Sequence, residues 1–356
     1  MGESGVLSYV IVGSGYRSEY FGRIARTYPD LFRAMYLCRS KEKAELIKAK
    51  TGCEATTGLD ECLAFQPDFI VIAVDRPHVA DVAMDWLDRG FPVMTETPVG
   101  DTPDKLRELW RRGQTGAKIV CLEQYHRSPI LSAGLEAIRQ GLIGTPSSVY
   151  ISLMHDYHAA SMIRKALNIA PEMPYTLRGI RQTQTVTETD SRYGAILDGR
   201  TTQAQRDMVH VSFASGQEAI YDFCPVQYRS FIRSRHITVR GSRGEWSDTQ
   251  VLYLDQENRP QRMNLLPLIP EKYSCLDTQA LRDKRRNWTA ELAPDTVQDE
   301  FAIASMLLDM ESYLAGGPSP YSLQEAIEDA YFWLLLDEAV NHPWQEISSQ
   351  STPWRG

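Results

Sequence analysis

Three features that mark other classes of protein are missing from this sequence. It has no run of about 18 apolar residues that could cross a membrane as a helix. Its start, MGESGVLSYVIVG, has a short apolar run and no basic leader, so we expect no secretory signal. Its six cysteines form no Cys-x-x-Cys pair, which argues against a zinc knuckle or a disulfide framework and favours buried, reduced thiols. They are Cys38, Cys53, Cys62, Cys121, Cys224 and Cys275.

An excess of positive charge is also missing. Lysine and arginine total 38 against 46 acidic residues, which gives a net charge of −8 and a pI near 5.5. A field of this sign repels nucleic acid and anionic membranes, so we expect neither as a partner. The basic stretch RDKRRNW, residues 282–288, is interpreted as a solvated face or a grip on a small anion. We expect a cytoplasmic protein.

The chain has 356 residues, enough for two domains, and an ordinary hydrophobic fraction of 43%. It opens with an apolar strand, Leu7–Val12, followed by the turn GSGYRS and a helical pattern. Gly13 and Gly15 occupy the first two positions of G-x-G-x-x-G, where the backbone turns tightly and approaches a pyrophosphate at the positive end of a helix. Ser18 replaces the third glycine. The pattern fits a dinucleotide-binding turn, and a plain strand-to-helix turn is the alternative.

Further strands alternate with helical patterns through the first half of the chain. The predicted strands end near Cys38, Val74, Glu96 and Tyr125. This alternation predicts a parallel, doubly wound sheet, which binds ligands outside the carboxyl ends of its strands. The residues at those ends are Gly13, Cys38, Asp75, Glu96 and Gln124.

Several segments together resemble the Gfo/Idh/MocA oxidoreductases, the family of glucose–fructose oxidoreductase and inositol dehydrogenase. They are GSGYRS, AVDRPHVADVA, ETP with DKLREL, EQYHRSPILSAGLEAIRQGLIGTPSSV and YSLQEAIEDAYFWLLLDEAV, and they extend over nearly the whole chain. The resemblance implies an α/β N-terminal Rossmann domain, residues 1–126, plus an α+β C-terminal domain, residues 127–356. The second domain would carry an open, mostly antiparallel sheet for substrate binding and oligomerisation. The final helix, about 321–341, is expected to pack back toward the first domain.

The resemblance also implies a nicotinamide cofactor, NAD(P)(H), tightly bound. Cys38 stands where an acidic residue usually holds the ribose hydroxyls, with Arg39, Ser40 and Lys41 behind it. Since Arg39 could accept a 2′-phosphate or stack on adenine, the choice between NAD and NADP stays open. The residues assigned to the cofactor are Gly13, Gly15, Tyr16, Arg17, Arg39, Ser40, Val74, Asp75, Arg76, His78, Glu96, Thr97 and Gln124.

Two positions depart from the family pattern. Thr97 replaces the lysine of the usual Glu-Lys-Pro, so a positive charge is lost, and the bond from this residue to Pro98 is often cis in the family. Counting along SSVYISLM and AASMIRKAL places the family's catalytic histidine on His158, with Ser161 instead of the following aspartate. The resemblance therefore implies that His158 takes the substrate proton.

His155, three residues earlier, has several open roles. It could contact substrate, orient His158 or pair with Asp156, and either histidine could be a hydrogen-bonded structural residue. Lys165 shares the helix face of His158 and is either solvated or a substitute for the lost lysine charge. No metal is expected, because carboxylates and cysteines at ligand spacing are lacking. The predicted catalytic residues are His158, His155 and Lys165, and the predicted substrate contacts are Thr97, Tyr125, His126, His155 and His158.

The second half alternates polar and apolar residues between glycine turns from about 201 to 248, as antiparallel strands do. One face of this sheet is apolar enough to pair with another subunit, so we expect a homo-oligomer. The polar segment 174–200 is interpreted as a lid or a plain loop.

These features predict a nicotinamide-dependent enzyme that oxidises a secondary hydroxyl of a sugar, polyol or glycoside, with His158 as the general base. The HDYH and ETP variants also resemble bacterial enzymes that oxidise the 3-hydroxyl of glucosides before C-glycoside cleavage. Two alternatives are a nicotinamide-binding sensor or regulator without turnover, and a redox-cycling NAD-dependent glycosidase. Steady reduction of the cofactor separates the enzyme from the sensor, and release of an aglycone marks the glycosidase.

Overall fold

Short apolar strands in the first part of the chain form a parallel sheet. The structure is a computed structural model that describes residues 5–191, 194–265 and 295–356. In the last range, side chains are described from residue 299. Cys275 and the basic stretch 282–288 lie outside the described residues. The chain divides into two units. The first comprises residues 1–128 and 270–330, and the second residues 129–269 and 331–356.

The sheet of the first unit has six strands in the order β3-β2-β1-β4-β5-β6, and every neighbouring pair is parallel. The direction of winding reverses between β1 and β4, which is the switch point where such sheets bind ligands. The central strand β4 is buried throughout, as its continuous apolar sequence requires. The predicted doubly wound sheet is confirmed, with the short strand β3 as an addition. The strands are β1 (Leu7–Val12), β2 (Phe32–Leu37), β3 (Glu54–Thr56), β4 (Phe69–Ile72), β5 (Val93–Thr95) and β6 (Ile119–Cys121).

Local signals in the sequence explain where several helices of this unit begin and end. Ser40 caps the first turn of α2 by accepting from the amide of Lys43, and Gly52 ends that helix in the left-handed conformation. Thr102 caps α5 in the same way, with Pro103 at the first helical position. The helices are α1 (Tyr16–Thr27), α2 (Lys41–Thr51), α3 (Leu59–Ala64), α4 (Val79–Asp88) and α5 (Pro103–Gln114).

The second unit is built on an open nine-stranded sheet in the order β16-β15-β14-β13-β7-β12-β11-β8-β17. Its neighbouring strands are antiparallel except for the parallel pair β7 and β12. The predicted open, mostly antiparallel sheet is therefore confirmed. Its elements are α6 (Pro129–Arg139), β7 (Pro146–Ser152), α7 (Asp156–Leu167), β8 (Tyr175–Thr187), β9 (Asp190–Ser191), β10 (Gly194–Ala195), β11 (Thr201–Phe213), β12 (Glu218–Phe223), β13 (His236–Gly241), β14 (Gly244–Ser247), β15 (Gln250–Leu254), β16 (Pro260–Asn264) and β17 (Ile347–Ser348).

A plain loop over 174–200 is wrong for Tyr175–Thr187, which form strand β8. β8 runs for 13 residues and pairs with β11 over its full length, from Tyr175 opposite Phe213 to Thr187 opposite Thr201. Its threonines suit a strand, and its many half-exposed positions explain why the sequence is polar. β9 and β10 follow as a small separate pair, and residues 192 and 193 between them lie outside the described part.

Two long helices follow the sheet in sequence. Helix α8 (Asp295–Leu314) belongs to the first unit, and α9 (Leu323–Asn341) has its residues up to Ala330 in the first unit and the rest in the second. Within the first unit, α8 is tied to earlier elements by arginine–carboxylate pairs, which hold a helix in place where each pair is partly shielded from water. The pairs are Arg17–Asp299, Arg23–Glu300 and Arg127–Asp309.

Neither a membrane segment nor a disulfide was expected. Within the described ranges, no helix is long and apolar enough to cross a membrane. The five cysteines of the described residues are all buried and carry free thiols, as predicted for them.

Helix α6 packs closely on the second unit's sheet at Gly134. A Cβ added there would lie 2.1 Å from Cε2 of the buried Trp246. Alanine ordinarily stabilises a helix interior relative to glycine. Here we expect Gly134→Ala to lower the free energy of unfolding by about 1–3 kcal/mol, because a rigid indole must move. Urea or thermal unfolding measures the loss. The double variant Gly134→Ala/Trp246→Phe should recover part of the lost free energy of unfolding. If the effects of the two single changes on that free energy were strictly additive, the contact between Gly134 and Trp246 would be contradicted.

Candidate functional site

The turn after β1 brings two backbone segments into contact at the switch point of the sheet. Gly13 has φ +123°, and a Cβ there would lie 2.2 Å from the carbonyl oxygen of Ala73, at the end of β4. Only glycine fits this position. Gly15, the N-cap of α1, differs, because its backbone is extended and an added Cβ would meet no protein atom within 4 Å. The space beyond Gly15 is therefore open to a ligand.

The helix that starts at this turn suits an anionic group. Gly15 offers no side chain to cap α1, so the amide groups of the first turn have no side-chain cap. Ser18 is buried, donates from Oγ to the carbonyl of Gly15 at 2.7 Å, and accepts at its own carbonyl from Tyr36 Oη at 2.7 Å. The close helix-to-strand contact occurs one turn later at Gly22, where a Cβ would lie 2.3 Å from Tyr36 Oη. These features fit a dinucleotide with its pyrophosphate at Gly13 and Gly15.

A cluster of charged side chains stands beside this turn. Arg17 Nε lies 3.1 Å from Glu96 Oε1, and its Nη1 lies 3.2 Å from Asp299 Oδ2. Burial raises the pKa of Glu96, against the lowering effect of Arg17. The amide of Gln124, when turned over, accepts from Arg17 Nη2 at 3.2 Å and donates to Leu122. The structure thus brings together three predicted residues, Arg17, Glu96 and Gln124, with Asp299, which was not predicted from the sequence.

The remaining residues assigned to the cofactor occupy the same sheet edge in varied settings. Tyr16 Oη lies 3.0 Å from Tyr20 Oη on α1. Arg39 is exposed after β2, while Ser40 is occupied as the N-cap of α2. Val74 is half-buried after β4. Asp75, Arg76 and His78 are exposed and form a short 3-10 turn at the start of α4.

Two further strand ends carry the predicted substrate contacts of the first unit. Thr97 is half-buried after β5, and its bond to Pro98 is cis, as the resemblance implied. Tyr125 and His126 lie in a 3-10 turn after β6, and both are half-buried. The imidazole of His126 packs on Tyr321 with ring centroids 5.6 Å apart.

The two histidines that stand three residues apart mark the start of α7 in the second unit. His155 is the N-cap of this helix and lies beyond the end of β7, which stops at Ser152. His158 sits in the first turn and is 6% exposed. Their rings meet edge to face, with centroids 4.9 Å apart. Lys165 is half-buried in the last turn of α7, two turns beyond His158.

Tyrosine hydroxyls bind both ring nitrogens of His155. Nδ1 lies 2.7 Å from Tyr228 Oη, and Nε2 lies 3.1 Å from Tyr157 Oη. Tyr157 also packs on His158, with centroids 4.6 Å apart, and on Trp333. Neither tyrosine was predicted from the sequence, because Tyr228 is 73 residues from His155 and Tyr157 has the pattern of an ordinary helix residue. In the part of the chain that the structure describes, no group of three or more His, Cys, Asp or Glu side chains could hold a metal.

The sheet order, the glycine turn at the switch point and the uncapped helix define a dinucleotide-binding Rossmann domain. Residues 7–124 match the family model GFO_IDH_MocA, described as an oxidoreductase family with an NAD-binding Rossmann fold. The match is confined to this segment, and it agrees with the Rossmann sheet that the segment forms. A comparison with curated protein sequences found no match.

Solved structures share the fold over nearly the whole chain at low sequence identity. An NAD-binding oxidoreductase from Klebsiella pneumoniae is 14% identical, with a TM-score of 0.72, covering 98% of this chain and 100% of that one. A levoglucosan dehydrogenase in complex with NADH and levoglucosan is 14% identical, with a TM-score of 0.72 and coverage of 96% and 99%. A putative myo-inositol dehydrogenase from Sinorhizobium meliloti 1021 is 16% identical, with a TM-score of 0.64 and coverage of 96% and 99%.

The contrast between the two glycines gives a clean test of the cofactor site. Gly15→Val should abolish NAD binding, because its side chain fills space where a pyrophosphate would lie, while the free energy of unfolding falls by only about 1 kcal/mol through the poorer N-cap. Calorimetric titration with NAD and thermal unfolding measure the two effects. Gly13→Ala is the matched variant and should mainly destabilise the fold. Wild-type NAD affinity in Gly15→Val would contradict this placement.

Proposed function

We propose that the protein is an NAD(P)-dependent oxidoreductase that oxidises a secondary hydroxyl of a sugar, polyol or glycoside. The observation that carries the proposal is the turn at the switch point, where Gly13 presses on Ala73 and the space beyond Gly15 is open. Such a turn serves to bind a dinucleotide. The likeness to a levoglucosan dehydrogenase and to a putative myo-inositol dehydrogenase favours a polyhydroxylated substrate.

The proposed reaction separates a hydride from a proton. When bound, a nicotinamide accepts the hydride that leaves the carbon of the alcohol. The chain must then take the hydroxyl proton, and we assign this role to His158, since a neutral imidazole is a suitable base near pH 7. We assign His155 the role of contacting the substrate or orienting His158, and its ring nitrogens lie within hydrogen-bond distance of the hydroxyls of Tyr228 and Tyr157.

The other predicted residues complete the proposal. Thr97, Tyr125, His126 and His155 would contact the substrate. Lys165 would assist catalysis as a positive charge in place of the lysine that Thr97 replaces. Oxidation at the 3-hydroxyl of a glucoside is the narrower form of the proposal, and it rests on the HDYH and ETP variants alone.

Homo-oligomerisation is proposed on the second unit's sheet. Large apolar side chains are exposed on its strands, namely Ile220 at 48% and Leu252 and Leu254 at 38% each. Exposed apolar residues grouped on one sheet favour an interface. Light scattering of the purified protein measures its mass, and a monomer at all concentrations would contradict this assembly.

Spectroscopy of the purified protein tests the function as a whole. The apo-protein is titrated with NAD and with NADP, and formation of reduced nicotinamide is then followed with a panel of sugars, polyols and glycosides. We expect steady reduction with at least one of them. Binding without reduction by any member of the panel would favour a sensor or regulator, and release of an aglycone from a glycoside would favour a redox-cycling glycosidase.

Removing each histidine in turn tests the assignment of the base. His158→Ala should bind NAD normally and lose about two to four orders of magnitude in kcat, the usual contribution of a positioned general base. The wild-type rate should rise with pH as the base loses its proton and then level off. His155→Ala is the comparison and should cost less. The opposite order would make His155 the base, and unchanged rates in both variants would remove the histidines from the proton step.

A further inference from the structure

A second group of polar side chains lies where strand β13 begins. Ser234 precedes this strand, His236 is its first residue, and Asp248 occupies the turn between β14 and β15. All three residues belong to the second unit. Their side chains form one line of hydrogen bonds, from a hydroxyl through an imidazole to a carboxylate.

The two hydrogen bonds in this line fix how the imidazole is used. Ser234 Oγ lies 2.6 Å from His236 Nε2, and His236 Nδ1 lies 2.9 Å from Asp248 Oδ2. An ionised carboxylate only accepts hydrogen bonds, so Nδ1 is the donor in the second contact. In the neutral imidazole, Nε2 is then the acceptor, and it receives the hydrogen of the serine hydroxyl. The carboxylate therefore selects the tautomer that can act as a base toward Ser234.

The backbone around Asp248 holds its carboxylate in place. The second oxygen, Oδ1, accepts from the amide of Ile237 at 2.9 Å, and the Asp248 amide donates to the Ile237 carbonyl at 3.0 Å. The indole of Trp246 donates to the Asp248 carbonyl at 2.8 Å. Asp248 has φ +48°, an uncommon conformation for a residue with a side chain, and these contacts maintain it. The fold thus determines both the position and the orientation of the carboxylate.

The serine at the other end of the line is accessible, and its loop is anchored. Gln227 donates to the Ser234 carbonyl at 2.7 Å and to Ser152 Oγ at 3.0 Å. Ser234 and His236 are both exposed, so a molecule in solution can reach the hydroxyl. Within the described ranges, the Ser234 amide makes no hydrogen bond, which leaves an N–H group beside Oγ for a negatively charged oxygen.

A hydroxyl, an imidazole and a carboxylate joined in this order are the parts of an activated serine, an arrangement that occurs in unrelated folds. We propose that Ser234, His236 and Asp248 form a second reactive site, which hydrolyses carboxylic esters. Ser234 Oγ bonds to the ester carbonyl carbon while its proton passes to His236 Nε2. The bond to the alcohol oxygen then breaks, and His236 returns the proton to the leaving alcohol. Water attacks the acyl-serine in the same way, which releases the carboxylic acid and restores the serine.

Neighbouring residues of the same loop indicate the kind of ester. Phe231 and Ile232, two and three residues before the nucleophile, are 77% and 51% exposed. An apolar acyl group that covers these side chains removes apolar surface from water, which favours its binding. The reaction uses neither a nicotinamide nor the histidines of α7, so the inference does not depend on the proposed oxidation.

Hydrolysis of p-nitrophenyl butanoate by the purified protein tests the site. We expect release of nitrophenolate, and peptide mass spectrometry should find the butanoyl group on Ser234. Ser234→Ala and His236→Gln should each lower the rate of release about 100-fold, the lower end of what a positioned general base contributes. Asp248→Asn keeps the imidazole but removes the carboxylate that selects its tautomer, so it should also lower the rate, by about 10-fold or more.

Ser215→Ala is the matched control for the loss of a serine. Ser215 is exposed in the turn between β11 and β12, and its Oγ binds the amide oxygen of Gln217 at 2.8 Å instead of an imidazole. This variant should react as fast as the wild type, and thermal unfolding checks that every variant is folded.

Three results would overturn the inference. The first is a wild type that forms no acyl-Ser234, and the second is an equal rate in the wild type and Ser234→Ala. The third is acylation of His236 alone, because an exposed imidazole can react with an activated ester without a serine. In each case the three side chains would only tie β13 to the turn after β14. None of these results bears on the reduction of nicotinamide, which is measured separately.

Discussion

The close approach of Gly13 to the carbonyl oxygen of Ala73 is the constraint on which the cofactor side of the structure depends. It joins the turn after β1 to the end of β4, at the point where the winding of the sheet reverses. With a side chain at Gly13, the turn would have to lift away from the sheet and α1 would start elsewhere. Arg17 could not then reach Glu96, because the two residues belong to α1 and to the end of β5. The absence of a Cβ at Gly13 therefore fixes both the start of α1 and the pairing of Arg17 with Glu96.

The sequence predicted well where a local pattern determined the structure. Leu7–Val12 is a strand with the predicted limits, since a mostly apolar run that ends at the turn Gly13-Ser14-Gly15 has few other solutions. The strand predicted to end near Val74 stops at Ile72, because the chain already turns there toward the 3-10 turn before α4. β8 was missed, because its apolar positions are sparse and its pairing with β11 comes from the partner strand rather than from its own pattern.

At the candidate site, the sequence indicated residues next to glycines or within motifs and missed those that arrive from far along the chain. Asp299 pairs with Arg17 across 282 residues, and Tyr228 binds His155 across 73. Neither residue stands in a local pattern that distinguishes it from an ordinary helix or strand-end residue. Contacts of this kind follow from tertiary packing, so no periodicity or spacing could have revealed them.

The distribution of charge limits which side chains could replace the absent lysine. Arg17 carries one positive charge and is bound to two carboxylates, Glu96 and Asp299, so it has no surplus charge to replace the lysine that is absent at Thr97. His158 lies against an imidazole and a phenol ring. These two rings limit how far the imidazole of His158 can turn. If His158 takes the proton, as we propose, the geometry of that step would depend on the packing of His155 and Tyr157 as well as on His158 itself.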